Sequence, residues 1–394
     1  MALPEPSPAP AGDGPHRLAF LAAARDGSDF VSIHSKVSLA IKPNGDCRPA
    51  DEPSPFLTPE SGIDDSDVIP YKTATDLIVM ASAYGSGGRP ASEFEASIEV
   101  GKIRRVYRLN GERRVLYRGR GSIQFSKPTL VECVPLTYAR AYGGYDALEP
   151  MPEGALRARA LGFHPGLYPR NPIGLGYVVR EEKERLDGLE LPNVEHPEYL
   201  LTPQNLVVGD ASQWWRQPIP WSCDWFGKTW FPRVAFFGGV PDDFPDDDRE
   251  TAEVKLGWLD PYCKKRAVEC SLDQMLDDRM GNAASPGLVL PFLKGNESIA
   301  LRGMRPQGDL VVNLPLKPPK MEVVFSGKTY EVTPVPHRIL ISVMEMGAYI
   351  VWHGAWKPPK ALPYRLPEEA GPRMLARHGI QVRVDGDAIV PTES

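Results

Sequence analysis

Long apolar runs are missing from this chain. No stretch among its 394 residues approaches the roughly 18 apolar residues that a membrane span needs, so no membrane partner is expected. Cysteine is scarce and unpaired in pattern: Cys47, Cys133, Cys223, Cys263 and Cys270 are odd in number and scattered, with no Cys-x-x-Cys pair. That excludes a disulfide framework and predicts reduced thiols in a cytoplasmic chain. The beginning, Met1-Ala2-Leu3-Pro4-Glu5-Pro6, lacks the basic and then apolar segments of a signal peptide. Positive charge is not in excess either, since 45 Lys and Arg against 51 Asp and Glu leave a net charge of −6. A nucleic-acid partner, which requires a basic surface, is therefore not expected.

Motifs of the commonest sites are absent too. There is no G-x-S-x-G, H-E-x-x-H, Walker loop or G-x-G-x-x-G, and no cofactor is predicted. The seven histidines are dispersed, no two at a metal-ligand spacing, and no metal is predicted. The acidic run 242–248 lacks the ligand spacing of a calcium loop and reads as a solvated segment.

What the chain has in abundance is proline, 42 residues, about twice the usual share of roughly 5%. So much proline forbids long helices and favours short strands joined by rigid loops. Residues 1–16, rich in Pro, Ala and Gly, read as a disordered tail, and 18–25 as a helical turn or two. From Val31 the period becomes two: Val31, Ile33, Val37, Leu39 and Ile41 share one face, Ser32, His34, Lys36 and Ser38 the other. That is the pattern of a half-buried antiparallel strand. Further strands are predicted over 77–84 and 94–100. A hairpin is predicted over 105–117, turning at Asn110-Gly111. A short helix is expected over 271–279, and C-terminal hairpins over 298–314, 322–332 and 339–352. Another short helix at 367–378 and a last strand from Ile380 complete the reading. There is no βαβ rhythm, so the predicted fold is mainly β: antiparallel sheets packed as sandwich-like layers, with long Pro/Gly-rich loops and a few short helices. The β-rich domain is placed at 17–360, divisible near 210/211, with 361–394 as a C-terminal extension.

Four dense blocks stand out. The first is 66–79, where Asp67, Lys72 and Asp76 run into an apolar strand. The others are Tyr138 with Arg140, Gly143 and Gly144; Asn171 with Gly174 and Gly176; and Pro192 with Asn193 and Glu195. Asp67, Lys72, Asp76, Arg140 and Glu195 suit either an acid–base site or a structural ion network that satisfies loops at strand ends. The network is the simpler reading, with Arg140 as its anchor because a guanidinium serves several acceptors at once. The glycines supply positive φ or close backbone approach rather than a phosphate cradle. Trp214, Trp215, Trp221, Trp225 and Phe226 suit core filling, sugar stacking or partner binding.

In order and spacing these blocks, together with Lys36, Gly111 and Arg113, and Trp230 and Arg233, resemble the bacterial family known as domain of unknown function 2169, which is associated with type VI secretion. The resemblance spans residues 18–356. The departures are Ala139 for Glu, Tyr142 for Phe, and Asn110-Gly111-Glu112-Arg113 for a Gly-Asp-Arg turn; residues 214–280 follow the family only faintly. The resemblance implies a non-enzymatic effector chaperone or adaptor whose partners are a co-encoded toxin and the VgrG/PAAR spike. A hydrolase or lyase with a site in the Arg140/Glu195 loop layer, and a carbohydrate binder using the tryptophans, are the alternatives.

Overall fold

A computed structural model describes residues 16–23, 28–52, 54, 56, 67–70, 72–149, 166–209, 214, 216–227, 230, 231, 233, 281–293, 297–315, 317–360, 362 and 372–389. The expected helix at 271–279, the acidic run 242–248, Ser66, Trp215 and nearly all of the N-terminal tail lie outside them.

The chain is mainly β, arranged as several sheets. The largest has seven strands: β1 (Arg17–Ala23), β2 (Asp29–Ile41), β3 (Cys47–Pro49), β4 (Thr75–Met80), β14 (Val289–Leu290), β19 (Val335–Ser342) and β20 (Gly347–Trp356). Its order is β1-β2-β20-β19-β4-β14, with β3 on β2. The second sheet, β13-β7-β6-β15-β16, contains β6 (Glu93–Val100), β7 (Ile103–Asn110), β13 (Val194–Glu195), β15 (Ser298–Arg302) and β16 (Leu310–Asn313). The third, β18-β17-β21-β22, contains β17 (Met321–Phe325), β18 (Lys328–Val332), β21 (Ile380–Val384) and β22 (Asp387–Ala388). Three two-stranded ribbons complete the set: β5 (Ser82–Tyr84) with β10 (Cys133–Pro135), β8 (Val115–Tyr117) with β9 (Ile123–Phe125), and β11 (Tyr142–Gly143) with β12 (Leu175–Gly176). The α-helix α1 (Pro372–Arg377) precedes β21, and β21 and β22 build the segment 380–388 into the third sheet.

One apolar core is shared by the three sheets, with Ile33, Leu77, Ile98, Leu301, Val323, Ile350 and Val382 among its members. It draws residues from both sides of position 210. A smaller core gathers Tyr142, Tyr168, Tyr177, Leu191, Leu206 and Trp214 around the ribbons.

Three local readings are corrected. Residues 17–23 form β1 rather than a helical turn, because Leu18 to Ala22 pair one for one with Phe30 to His34; a sheet partner overrides the helix preference of an Ala-rich run. Asn110-Gly111 is not a hairpin turn. β7 returns along β6 from a turn at Gly101-Lys102, while β8 pairs with β9. β2 is covered on both faces, since Ser32, His34 and Lys36 are as buried as Val31 and Ile33.

Candidate functional site

The buried polar face of β2 adjoins the fully buried ion pairs of the described residues. Ser32, His34 and Lys36 project to one side, and the register sets His353 opposite His34 and Val351 opposite Lys36. Arg338 on β19 faces Val351 on one side and Asp76 of β4 on the other, the latter by parallel pairing. A bulge between Pro336 and Arg338 inserts His337 as an extra residue, which lets two consecutive side chains reach one region.

Two carboxylates organise these cations. Asp67 accepts from Lys36 Nζ at 3.0 Å, Arg338 Nη1 at 2.7 Å and the Tyr349 hydroxyl at 3.4 Å. Asp76 accepts from Lys72 Nζ at 2.6 Å, Asn282 Nδ2 at 2.9 Å and the backbone N–H groups of Ala283 and Ala284 at 2.9 and 3.0 Å. Arg338 joins the pairs, its Nη2 lying 3.9 Å from Asp76. The side chains of Lys36, Asp67, Lys72, Asp76 and Arg338 have no solvent exposure. Aromatic rings cover the cations, with Lys36 Nζ 3.7 Å from the Tyr349 ring centre and the Arg338 guanidinium 4.5 Å from that of Trp225. Burial by itself would raise the Asp76 pKa, but Lys72 and Arg338 beside it and the bonds from Lys72 and Ala283 outweigh burial and hold it below the usual carboxylate value. Burial pulls Lys36 down despite Asp67, and Arg338 adds to that.

His34, His337 and His353 adjoin this cluster. His337 and His353 stack with ring centres 4.0 Å apart, and His34 lies 4.9 Å from His353. The Ser32 hydroxyl bonds Nε2 of His34 at 2.9 Å and of His353 at 3.0 Å. Burial pushes all three imidazoles below the ordinary histidine value, His353 to about 4, and the Lys72 charge adds to the effect.

Glu195 and Arg140 do not join this cluster. Glu195 Oε2 accepts from Asn110 Nδ2 at 2.7 Å and Arg113 Nη2 at 2.9 Å, and Oε1 from the Leu201 N–H at 3.0 Å. Arg113 also donates to the Pro192 carbonyl, and Asn193 Nδ2 donates to the Asn110 carbonyl. Arg140 is a bystander whose side chain is 37% exposed, 3.3 Å from Asn193 Oδ1 and 3.5 Å from Glu112. The expected single network is thus two, with Arg338 and Arg113 in the role assigned to Arg140. Arg140→Ala is expected to change unfolding free energy by less than about 0.5 kcal/mol. Arg113→Ala, which takes a charged donor from Glu195, should cost about 2 kcal/mol. Denaturant titrations of the two variants check this ranking, and equal losses would contradict it.

The glycine blocks form a knot around Asn171, whose Nδ2 donates to the Tyr138 and Tyr142 carbonyls at 2.8 and 2.9 Å. Gly144 sits at φ +97, where a Cβ would stand 2.3 Å from the Gly174 carbonyl oxygen. β11 and β12 can pair here only because side chains are absent. Gly143 and Gly176 also have positive φ, and Tyr138 bonds Ser285 through its hydroxyl at 2.7 Å.

Four of the five aromatic residues at 214–226 are placed by the structure. Trp214 and Phe226 are core residues. Trp221 and Trp225 are half-buried, packed against the main core and stacked on Arg105 and Arg338. None of the four is fully exposed; Trp221 and Trp225 keep part of their surface open, and Trp215 lies outside the described residues. The sequence signal that was missed is Pro336 within an apolar run: proline in a strand marks a bulge, and the bulge is what aims His337 and Arg338.

No curated protein and no solved structure matches this chain. A family profile does match, over residues 26–353, and with it the blocks built around Asp67, Asp76, Asn171 and Glu195: the chain belongs to the family described as Uncharacterized protein conserved in bacteria (DUF2169).

Proposed function

We propose that this protein is a chaperone and adaptor of type VI secretion that holds a co-encoded toxin effector in the cytoplasm and helps load it onto the VgrG/PAAR spike. Family membership supports the reading, through the association drawn above from the motifs. The motif charges Asp67, Lys72, Asp76 and Glu195 face inward and brace loops against sheets, which favours a scaffold over a reacting centre.

The observation that carries a client-binding role is the outer edge of the third sheet. β18 pairs with β17 alone among the described strands, and Lys328, Thr329 and Glu331 on it are exposed. An extended client segment can add here through main-chain hydrogen bonds, while the edge charges discourage pairing between copies. The enzyme alternative would require Glu195 to act while both its oxygens are engaged.

Co-expression with the toxin encoded beside this gene tests the proposal. A stable complex on pull-down and a rise in soluble toxin are expected. No complex together with unchanged toxin solubility would overturn it.

A further inference from the structure

The register of the third sheet fixes which main-chain groups of β18 face its free edge. β17 and β18 are joined by the two-residue turn Ser326-Gly327, with Phe325 opposite Lys328. On the other side of β17 the Asp385 N–H donates to the Lys320 carbonyl at 2.8 Å. Main-chain groups alternate sides along a strand, so Lys320, Glu322 and Val324 turn theirs toward β21, where Glu322 lies opposite Arg383 and Val324 opposite Gln381. Those of Met321, Val323 and Phe325 then point to β18 and meet Val332, Tyr330 and Lys328. By the same alternation the N–H and C=O groups of Thr329 and Glu331 point away from β17, and no described strand pairs with them. Each of the two offers one donor and one acceptor to an added strand.

Side chains along this edge carry a matching asymmetry. Thr329 and Glu331 are exposed, and across β17 Glu331 stands directly opposite Glu322, a destabilising juxtaposition of like charges. The cations of that row lie on the Glu322 side: Lys320 Nζ is 2.6 Å from Glu322, and Arg383 is opposite it on β21. Glu331 itself has no ion pair among the described residues. On the other face of the sheet Val382, Val323 and Tyr330 form one row. Val382 and Val323 are core residues. Tyr330, at the edge, is only half-buried, its ring centre 5.2 Å from that of Trp356.

From this we infer that the free edge of β18 takes an extended segment of a partner polypeptide with the pattern basic, apolar, β-branched, its residues standing opposite Glu331, Tyr330 and Thr329. A cation opposite Glu331 relieves the like-charge pair and completes the row that begins at Arg383. An apolar side chain beside Tyr330 extends the inner face, and a β-branched one suits the pleated, half-covered position next to Thr329. Main-chain bonds to Thr329 and Glu331 supply affinity, and the alternate side chains supply choice. That the partner is the toxin rests on the adaptor reading; the pattern itself rests on the edge.

The test uses the whole protein labelled with ¹⁵N-threonine, following the Thr329 amide assigned with Thr329→Ser. The probe is acetyl-Ser-Lys-Val-Thr-Val-Ser-amide, in which Lys, Val and Thr meet Glu331, Tyr330 and Thr329 in antiparallel pairing. One control replaces Lys by Glu, and the other carries N-methyl groups on the Lys and Thr amides that would face β18. In titrations to about 10 mM, where a millimolar site is well occupied, the first peptide should give a saturable shift at Thr329. The Glu peptide should bind about fivefold more weakly, and the N-methyl peptide should give no shift. These comparisons are made on the wild-type protein, and Glu331→Lys should reverse the preference between the Lys and Glu peptides. No saturable shift, equal binding of the Lys and Glu peptides, or N-methyl binding equal to that of the first would overturn the inference, even where the toxin complex forms. The expected shifts without any toxin complex would instead support this edge and overturn the adaptor reading.

Discussion

Arg338→Met lowers the unfolding free energy by about 3–5 kcal/mol, the range for breaking a buried ion pair by removing one partner. The size follows from what is left behind. Asp67 loses its 2.7 Å contact and Asp76 loses the nearby guanidinium, while both carboxylates remain fully enclosed. Methionine fills much of the volume, so the loss measures charge and hydrogen bonds rather than a cavity. Arg338→Lys should recover only part, because an ammonium cannot both reach the two carboxylates and lie flat on Trp225. The denaturant midpoint of each variant is the measurement. A loss below about 1 kcal/mol for Arg338→Met would place the cluster in the class of exposed, weakly contributing pairs.

Acid destabilises the protein well above the range of ordinary carboxylate titration. His34, His337 and His353 have folded-state pKa values below the unfolded value of 6.5, so the unfolded chain binds protons that the folded one refuses. Stability is then unaffected by these groups above about pH 6.5, and falls as pH drops from there through the folded values. For His353, lowered to about 4, the full loss is about 3 kcal/mol, and the other two add in the same direction. Asp76 acts at the acid end: its lowered pKa stabilises the fold above the unfolded value of 3.8 and that stabilisation is lost as pH falls through the folded one. A melting-temperature series from pH 8 to 4 should therefore decline steeply below 6.5. His353→Gln, which keeps a partner for Ser32 but cannot titrate, should flatten the decline. A profile level from pH 7 to 5 would contradict the argument.

The hairpin of β17 and β18 was legible because its information is local: it turns at Ser326-Gly327, both at positive φ, and the alternation of Met321 and Val323 marks its inward face. The strand from Ile380 was legible in the same way through Ile380 and Val382, while its return at Asp385-Gly386 into β22 was not read. β1 was not legible, since an Ala- and Leu-rich run carries the same composition in a helix and in a strand. Only pairing with β2 decides between them. Asn110-Gly111 carried a hairpin signal that the fold did not use. Asn110 instead closes β7 and turns its side chain onto Glu195, while Gly111 sits where a Cβ would stand 2.0 Å from the Thr129 carbonyl oxygen.

The candidate site divides along the same line. That Asp67, Lys72 and Asp76 belong to one charged block, and that Asn171 and the glycines form another, is written in adjacent residues. Local chemistry alone selects charged side chains at a strand end and glycines where backbones must touch. Which cation answers Asp67 was decided only by tertiary structure. Arg338 lies 271 positions away, brought there by parallel pairing of β4 with β19 and a bulge at His337, whereas the nearer candidate Arg140 is held beside Asn193 and Glu112. A buried carboxylate has no water to fall back on, so it pairs with whichever cation the sheet register delivers within about 3 Å. That register is a property of two distant strands together, which neither segment carries by itself.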